Sequence, residues 1–199
     1  MRTSRRRRPL DRTVPCERDA LLIVVATEGE KTESRYFSIF RSTKLQIVII
    51  PSERGRSAPA HILDNLLRFG REFDLGEGDQ LWLAIDRDRW PERALSSVAR
   101  ECRNRGWNLS VSNPCFELWL ALHFDVDLPQ PMDAKTLNGH LKALMGGYNK
   151  STYDPALLKT GVRLAEARAR ALDRRPAERW PRSPGSRVFG ITESFPNFE

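Results

Sequence analysis

The chain of 199 residues has only three cysteines, Cys16, Cys102 and Cys115, widely spaced and with no Cys-x-x-Cys pair. A disulfide scaffold and a zinc knuckle are therefore not expected. Cys115, beside Phe116, would need a neighbouring base to become a nucleophilic thiolate, so it reads as a small buried residue. Apolar runs stay well short of the roughly 20 residues that a membrane-spanning helix requires. The arginines after Met1 have no apolar stretch behind them, so no secretory signal is read and a cytoplasmic protein without membrane contact is expected. No internal repeat is evident. The single glycine of Thr27-Glu28-Gly29-Glu30-Lys31-Thr32-Glu33 has neither the glycine spacing nor the Lys-Ser/Thr ending of a phosphate cradle, which disfavours ATP binding by this chain.

Hydrophobic residues make up 40% and charged residues 30% of the chain, enough apolar material for a real core, and the net charge is +7. The distribution of that charge decides more than its total. Residues 1–10 carry Arg2, Arg5, Arg6, Arg7 and Arg8 and no acid, and residues 159–187 carry nine bases against three acids, while residues 11–158 are net −2. A faintly acidic body with basic ends does not by itself establish nucleic-acid binding.

Residues 1–18 show no apolar periodicity and read as a basic, disordered arm. Leu21-Leu22-Ile23-Val24-Val25-Ala26, Leu45-Gln46-Ile47-Val48-Ile49-Ile50, Gln80-Leu81-Trp82-Leu83-Ala84-Ile85 and residues 107–111 are runs of strand length, the first of them continuous as in a strand buried on both faces. Between and after them lie helical patterns at 33–41, with Thr32 as N-cap, at 57–69, from Pro91 through Cys102, and from Pro114 onward. Alternation of this kind predicts an α/β fold with a doubly wound, mostly parallel sheet over a core of residues 19–125. Residues 126–199 read as a helical, basic C-terminal addition, with helices near 133–145 and 155–174 and no assignable element over 176–199.

Two acidic clusters end neighbouring strands: Glu28, Glu30 and Glu33 after the first, Asp86 and Asp88 after the third. Ligands of parallel sheets bind beyond those carboxyl ends. Gly29 permits a sharp turn, and Asp86 and Asp88 point the same way if strand geometry continues. Converging carboxylates stay ionised only beside a cation, and oxygen ligands without histidine or cysteine suit Mg2+ or Mn2+. One or two such ions, roughly 4 Å apart if two, serve phosphodiester displacement. The plainer alternatives are acids favoured by a helix N-terminus for Glu30 and Glu33, and a solvated loop for Asp86-Arg87-Asp88.

Thr27 to Glu33 with Tyr36-Phe37, then Asp86-Arg87-Asp88-Arg89-Trp90, then Ser112-Asn113-Pro114-Cys115-Phe116-Glu117-Leu118-Trp119-Leu120-Ala121-Leu122-His123-Phe124 together resemble the RloB-like family, whose members resemble Toprim-fold nucleases of phage-defence systems. The resemblance spans about residues 20–150. It implies a Toprim-like fold, with Glu28 as metal ligand or general acid/base, Asp86 and Asp88 as metal ligands and Glu33 as an extra glutamate for a second metal. It also implies a partner ABC-type ATPase. In the third motif Glu117, near a helix start, is a candidate site group or a helix-terminus acid. His123, six residues on and on another helical face, reads as a capping or packing group, and Phe116 and Trp119 read as core.

Tyr148 and Lys150 resemble the family's Tyr-x-Lys element, with Lys150 either a phosphate contact or a solvated lysine. Ser183 to Val188 matches the family's C-terminal stretch only in part, which leaves Ser186 and Arg187 without an assigned role. Arg163, Arg168, Arg170, Arg174 and Arg175 form either a phosphate-binding face or a solvated helix face. The expected activity is a Mg2+-dependent endonuclease on RNA, tRNA-like in kind, or on DNA. The alternatives are a noncatalytic nucleic-acid-binding or ATPase-regulating module, and another Mg2+-dependent phosphoryl-transfer enzyme with Asp86 as nucleophile. Homo-oligomerisation is left open.

Overall fold

The structure, a computed structural model, describes residues 20–40, 42–53, 57–87, 89–124 and 126–196. Asp88, Cys16 and the basic arm lie outside those residues. Strands β1 (Leu21–Thr27), β2 (Leu45–Pro51), β3 (Gln80–Asp86) and β4 (Asn108–Asn113) are mutually parallel, and β5 (Gly185–Ser186) pairs antiparallel with β4. The spatial order is β2-β1-β3-β4-β5. Helices α1 (Thr32–Phe37), α2 (Pro59–Glu72), α3 (Glu92–Asn104) and α4 (Phe116–Ala121) follow the first four strands in turn, and α5 (Ala134–Leu144), α6 (Val162–Leu172) and α7 (Phe189–Thr192) complete the chain.

Because side chains alternate along a strand, β1 and β3 divide their residues between two cores. Leu22, Val24, Ala26, Leu81, Leu83 and Ile85 pack with Ile62, Leu66 and Phe69 of α2 and Leu95, Val98 and Cys102 of α3. Ile23, Val25, Trp82 and Ala84 face the other way, toward Tyr36 and Phe37 of α1, Trp119 of α4, Leu137 and Leu141 of α5 and Ala165 of α6. Helices thus cover both faces, the doubly wound arrangement that continuous apolar strands require. Among the described residues no helix is long and apolar enough to cross a membrane.

Several details differ from the sequence expectation, among them the helix expected near 155–174, which opens as a 3-10 helix over Pro155–Gly161 before α6. Thr32 is the first residue of α1 rather than its cap, and Lys31 at the cap position makes no side-chain capping bond. The helix expected over 33–41 gives way at Ser38 to a 3-10 turn, Ser38–Phe40. The C-terminal segment is structured: β5 extends the sheet, with Ser186 Oγ and Ser112 Oγ 2.8 Å apart. Arg187 fixes that segment by donating to Asp173 at 2.8 Å and to the Glu178 carbonyl at 2.6 Å. Ser186 and Arg187 are thus structural ties.

Candidate functional site

β2 lies on one side of β1 and β3 on the other, so the winding reverses between β1 and β3. In open parallel sheets the crevice at that reversal, beyond the strand ends, is where ligands bind. Glu28 immediately follows β1 and Asp86 ends β3, so the crevice opens between two carboxylates. The two residues meet directly: the Asp86 backbone N–H donates to Glu28 Oε2 at 3.4 Å.

The turn after β1 is tied down locally. Thr27 Oγ1 donates to the Gly29 carbonyl at 2.8 Å, the Ser52 N–H donates to the Thr27 carbonyl, and the Ser52 hydroxyl donates to the Glu28 carbonyl. The Glu28 carboxylate is buried, accepts from the Trp90 indole N–H at 2.9 Å and pairs with the Arg89 guanidinium at 3.2 Å. Arg89 and Trp90 were not assigned a role from sequence. Their place beside Asp86 and Asp88 in one motif is the sequence feature that points to them.

Glu33 lies one turn further along. Its Oε1 accepts the Gly29 N–H at 3.1 Å, while its Oε2 is buried with no hydrogen-bond partner among the described residues. Burial is the main cause that pushes its pKa from the ordinary 4.5 up to about 7, and the negative charge of Glu117 adds to the rise. A Cβ at Gly29 would stand 2.3 Å from Glu33 Oε2. Only glycine lets this carboxylate fold back over the turn. Gly29→Ala is therefore expected to swing the Glu33 side chain aside with the fold intact, and to reduce any activity of the site roughly ten- to a hundredfold. Activity and the circular dichroism spectrum, measured on the same preparation, check this.

Glu117, in the first turn of α4, is almost fully buried, and its Oε1 receives Lys150 Nζ at 2.6 Å and the Tyr148 hydroxyl at 3.3 Å. Burial draws the Lys150 pKa down, but Glu117 outweighs this and the net shift is upward, so Lys150 stays protonated. Cys115 next door is buried, and burial followed by the charges of Glu117 and Asp86 pushes its thiol far above the ordinary range. Cys115 is a thiol, not a nucleophile. Glu28, Glu33, Asp86, Glu117 and Lys150 thus gather at one end of the sheet, and Asp88 lies outside the described residues.

Carboxylate oxygens are the hard donors that Mg2+ or Mn2+ prefers, and the bare Oε2 of Glu33 is an acceptor awaiting a partner. In kind, though not in spacing, these donors are those that a hard divalent cation takes. Among the described residues no group of three histidine, cysteine, aspartate or glutamate side chains is gathered tightly enough to hold an ion.

His123 serves packing. Its Nδ1 lies 2.9 Å from the Trp119 carbonyl, which can only accept, so Nε2 is the acceptor for the Tyr36 hydroxyl at 3.1 Å. Burial lowers its pKa to about 4, and it is neutral. The arginines expected on the long helix are largely used internally. Arg163 pairs with Glu166, Arg170 with Glu193 and Arg175 with Glu178, while Arg168 donates to the carbonyls of Phe124 and Val126.

The raised Glu33 pKa sets a pH dependence. The native state holds this proton more tightly than the unfolded chain, so its contribution is fully present below pH 4.5 and lost as pH rises through about 7. Glu33→Gln lacks that loss. In chelator, the variant is expected to match the parent in urea unfolding near pH 4.5 and to exceed it by about 2–3 kcal/mol at pH 8. His123 acts in the opposite sense, removing stability as pH falls from 6.5 toward about 4, so the comparison is made between variants rather than on the parent alone.

No curated protein and no solved structure matches the chain. A family model described as RloB-like protein matches residues 23–195, from within β1 to beyond α7. The chain belongs to the RloB-like protein family.

Proposed function

We propose that this protein is a divalent-cation-dependent nuclease that cuts phosphodiester bonds of RNA or DNA at the crevice between β1 and β3, on a Toprim-like arrangement. The observation that carries this reading is the convergence of Glu28, Glu33, Asp86 and Glu117 on the carboxyl end of a parallel sheet, with Lys150 held 2.6 Å from Glu117. So many acids beside one lysine suit a polyanionic substrate only when a cation is also present.

Glu28, Glu33, Asp86 and Asp88 would hold Mg2+ or Mn2+, which when bound stabilises negative charge on the attacking and leaving oxygens. Without a cation the Glu33 carboxyl, with its pKa near 7, is partly protonated at neutral pH, and a divalent cation would favour its ionised form. Lys150 is fixed at its ammonium end by Glu117 and remains more than half exposed, which places a permanent positive charge where a phosphate oxygen can meet it. Arg89 and Trp90 hold the Glu28 carboxylate against the end of β3. The family resemblance supports a setting in anti-phage defence and a partner ABC-type ATPase.

The reading is tested by incubating the protein, alone and with the partner ATPase, with total tRNA and with plasmid DNA, in Mn2+ or in chelator. Internal cuts in one of the two, dependent on Mn2+, are expected. Stable covalent phosphate on Asp86 without any internal cut would instead favour a phosphoryl-transfer enzyme of another kind.

A further inference from the structure

The outer face of α3 carries Arg93, Ser96, Ser97, Arg100 and Arg103 at helical spacing, opposite the buried Leu95, Val98 and Cys102. With Arg179 they line a cleft of about 280 Å³. The surrounding acids are already engaged by other arginines: Glu92 pairs with Arg182 at 2.8 Å, Glu101 with Arg105 at 2.7 Å, and Glu178 with both Arg175 and Arg182. Arg93, Arg100, Arg103 and Arg179 make no direct ion pair with a carboxylate among the described residues, although Glu92 feels the charge of Arg179. Four guanidinium groups sharing one cleft repel each other, and the arrangement is relieved by an anion.

We propose that this cleft binds the phosphodiester backbone of a nucleic acid. Guanidinium forks and serine hydroxyls are the side chains that grip phosphate oxygens. The lining has no apolar or aromatic member, so it lacks the hydrophobic centre of a protein interface and the stacking surface needed to read bases. The binding is therefore indifferent to sequence. From Arg93 to Arg103 the stripe runs about 15 Å along the helix. It begins just beyond the Asp86 end of β3, so a strand lying on it leads toward the carboxylate crevice. The identity of the polyanion rests on the nuclease reading, but binding is measured apart from cleavage.

The test compares the full chain with an Arg100→Ala/Arg103→Ala/Arg179→Ala variant and an Arg163→Ala control, using a labelled single-stranded RNA and a labelled DNA duplex across a salt series, in chelator. All chains keep the arginines of residues 1–10, whose contribution cancels. The triple variant is expected to lose roughly tenfold or more in affinity near 0.1 M salt, and its log affinity against log salt is expected to flatten by about two to three in slope. Arg163→Ala should bind like the parent. Equal affinity and slope in the triple variant, or no binding by the parent, would overturn the proposal. So would a triple variant that keeps nucleic acid but loses binding to polyglutamate, which would assign the cleft to an acidic protein. Loss of binding in the triple variant, beside a parent that binds but never cuts, would uphold the cleft and remove the nuclease reading.

Discussion

Asp86→Ala is expected to lower divalent-dependent cleavage by about a thousandfold or more while leaving stability within about 1 kcal/mol of the parent. Asp86 is the last residue of β3 and is only partly buried. What it gives Glu28 is its backbone N–H, not its carboxylate, so truncation leaves that contact available. The β3 register opposite β4, in which Asp86 stands beside Ser112, is likewise a backbone property. The Asp86 side chain also contributes negative charge felt by Lys150 and Cys115. Loss of cleavage with an unchanged urea midpoint therefore assigns Asp86 to chemistry, and Asp86→Asn, which keeps the shape and removes the charge, should be nearly as inactive.

The largest expected effect on stability is at Trp119, which is fully buried between the two elements that carry Glu33 and Glu117. Its ring meets the rings of Tyr36 at 6.0 Å and His123 at 5.0 Å, both edge-on, and Tyr36 in turn meets Phe37, Phe40 and Phe116 within 5.7 Å. Edge-to-face contacts of this kind add to the area that the rings bury. Trp119→Ala should cost about 3–5 kcal/mol and lower the unfolding temperature by roughly 6–20 °C. Because α1 and α4 are held in register through this ring, cleavage should fall even well below the new melting temperature. Trp119→Phe, which keeps an edge-on ring, should lose far less of both.

β1 was legible in the sequence because a strand covered on both faces has no polar side, and Leu21 to Ala26 is apolar throughout, whereas β4 alternates polar and apolar residues and was legible by that period of two. The position of the candidate site in the fold, at the strand ends, was legible for a related reason. Strand ends are visible where apolar runs stop, and Glu28 and Asp86 stand at two such stops. β5 was not legible, since two residues have no period. Its place depends on a hydroxyl pair between Ser112 and Ser186, residues that are distant in sequence. Thr32 has a capping residue's chemistry, but Glu33 reaches back to the Gly29 N–H and the turn closes without a threonine cap.

Charge was the least legible property. A count of arginines over 159–187 points to α6, yet a count cannot see that Glu166, Glu178 and Glu193 are within reach of those arginines once the chain folds. On α3 the opposite holds: Glu92 and Glu101 look like partners for Arg93, Arg100 and Arg103 until Arg182 and Arg105 take them. Which arginines remain available for phosphate is a property of tertiary pairing, as is the grip of Arg89 and Trp90 on Glu28.

Cleavage of a labelled nucleic acid by the purified protein, with and without the proposed ATPase partner, followed as Mg2+ or Mn2+ is titrated against a chelator, tests the central claim most directly. Internal cutting should fall to background when the divalent cation is removed and return when it is restored, with Asp86→Ala inactive throughout. Cutting at an unchanged rate in chelator, or by Asp86→Ala, would contradict the assignment of the carboxylate crevice as the catalytic centre.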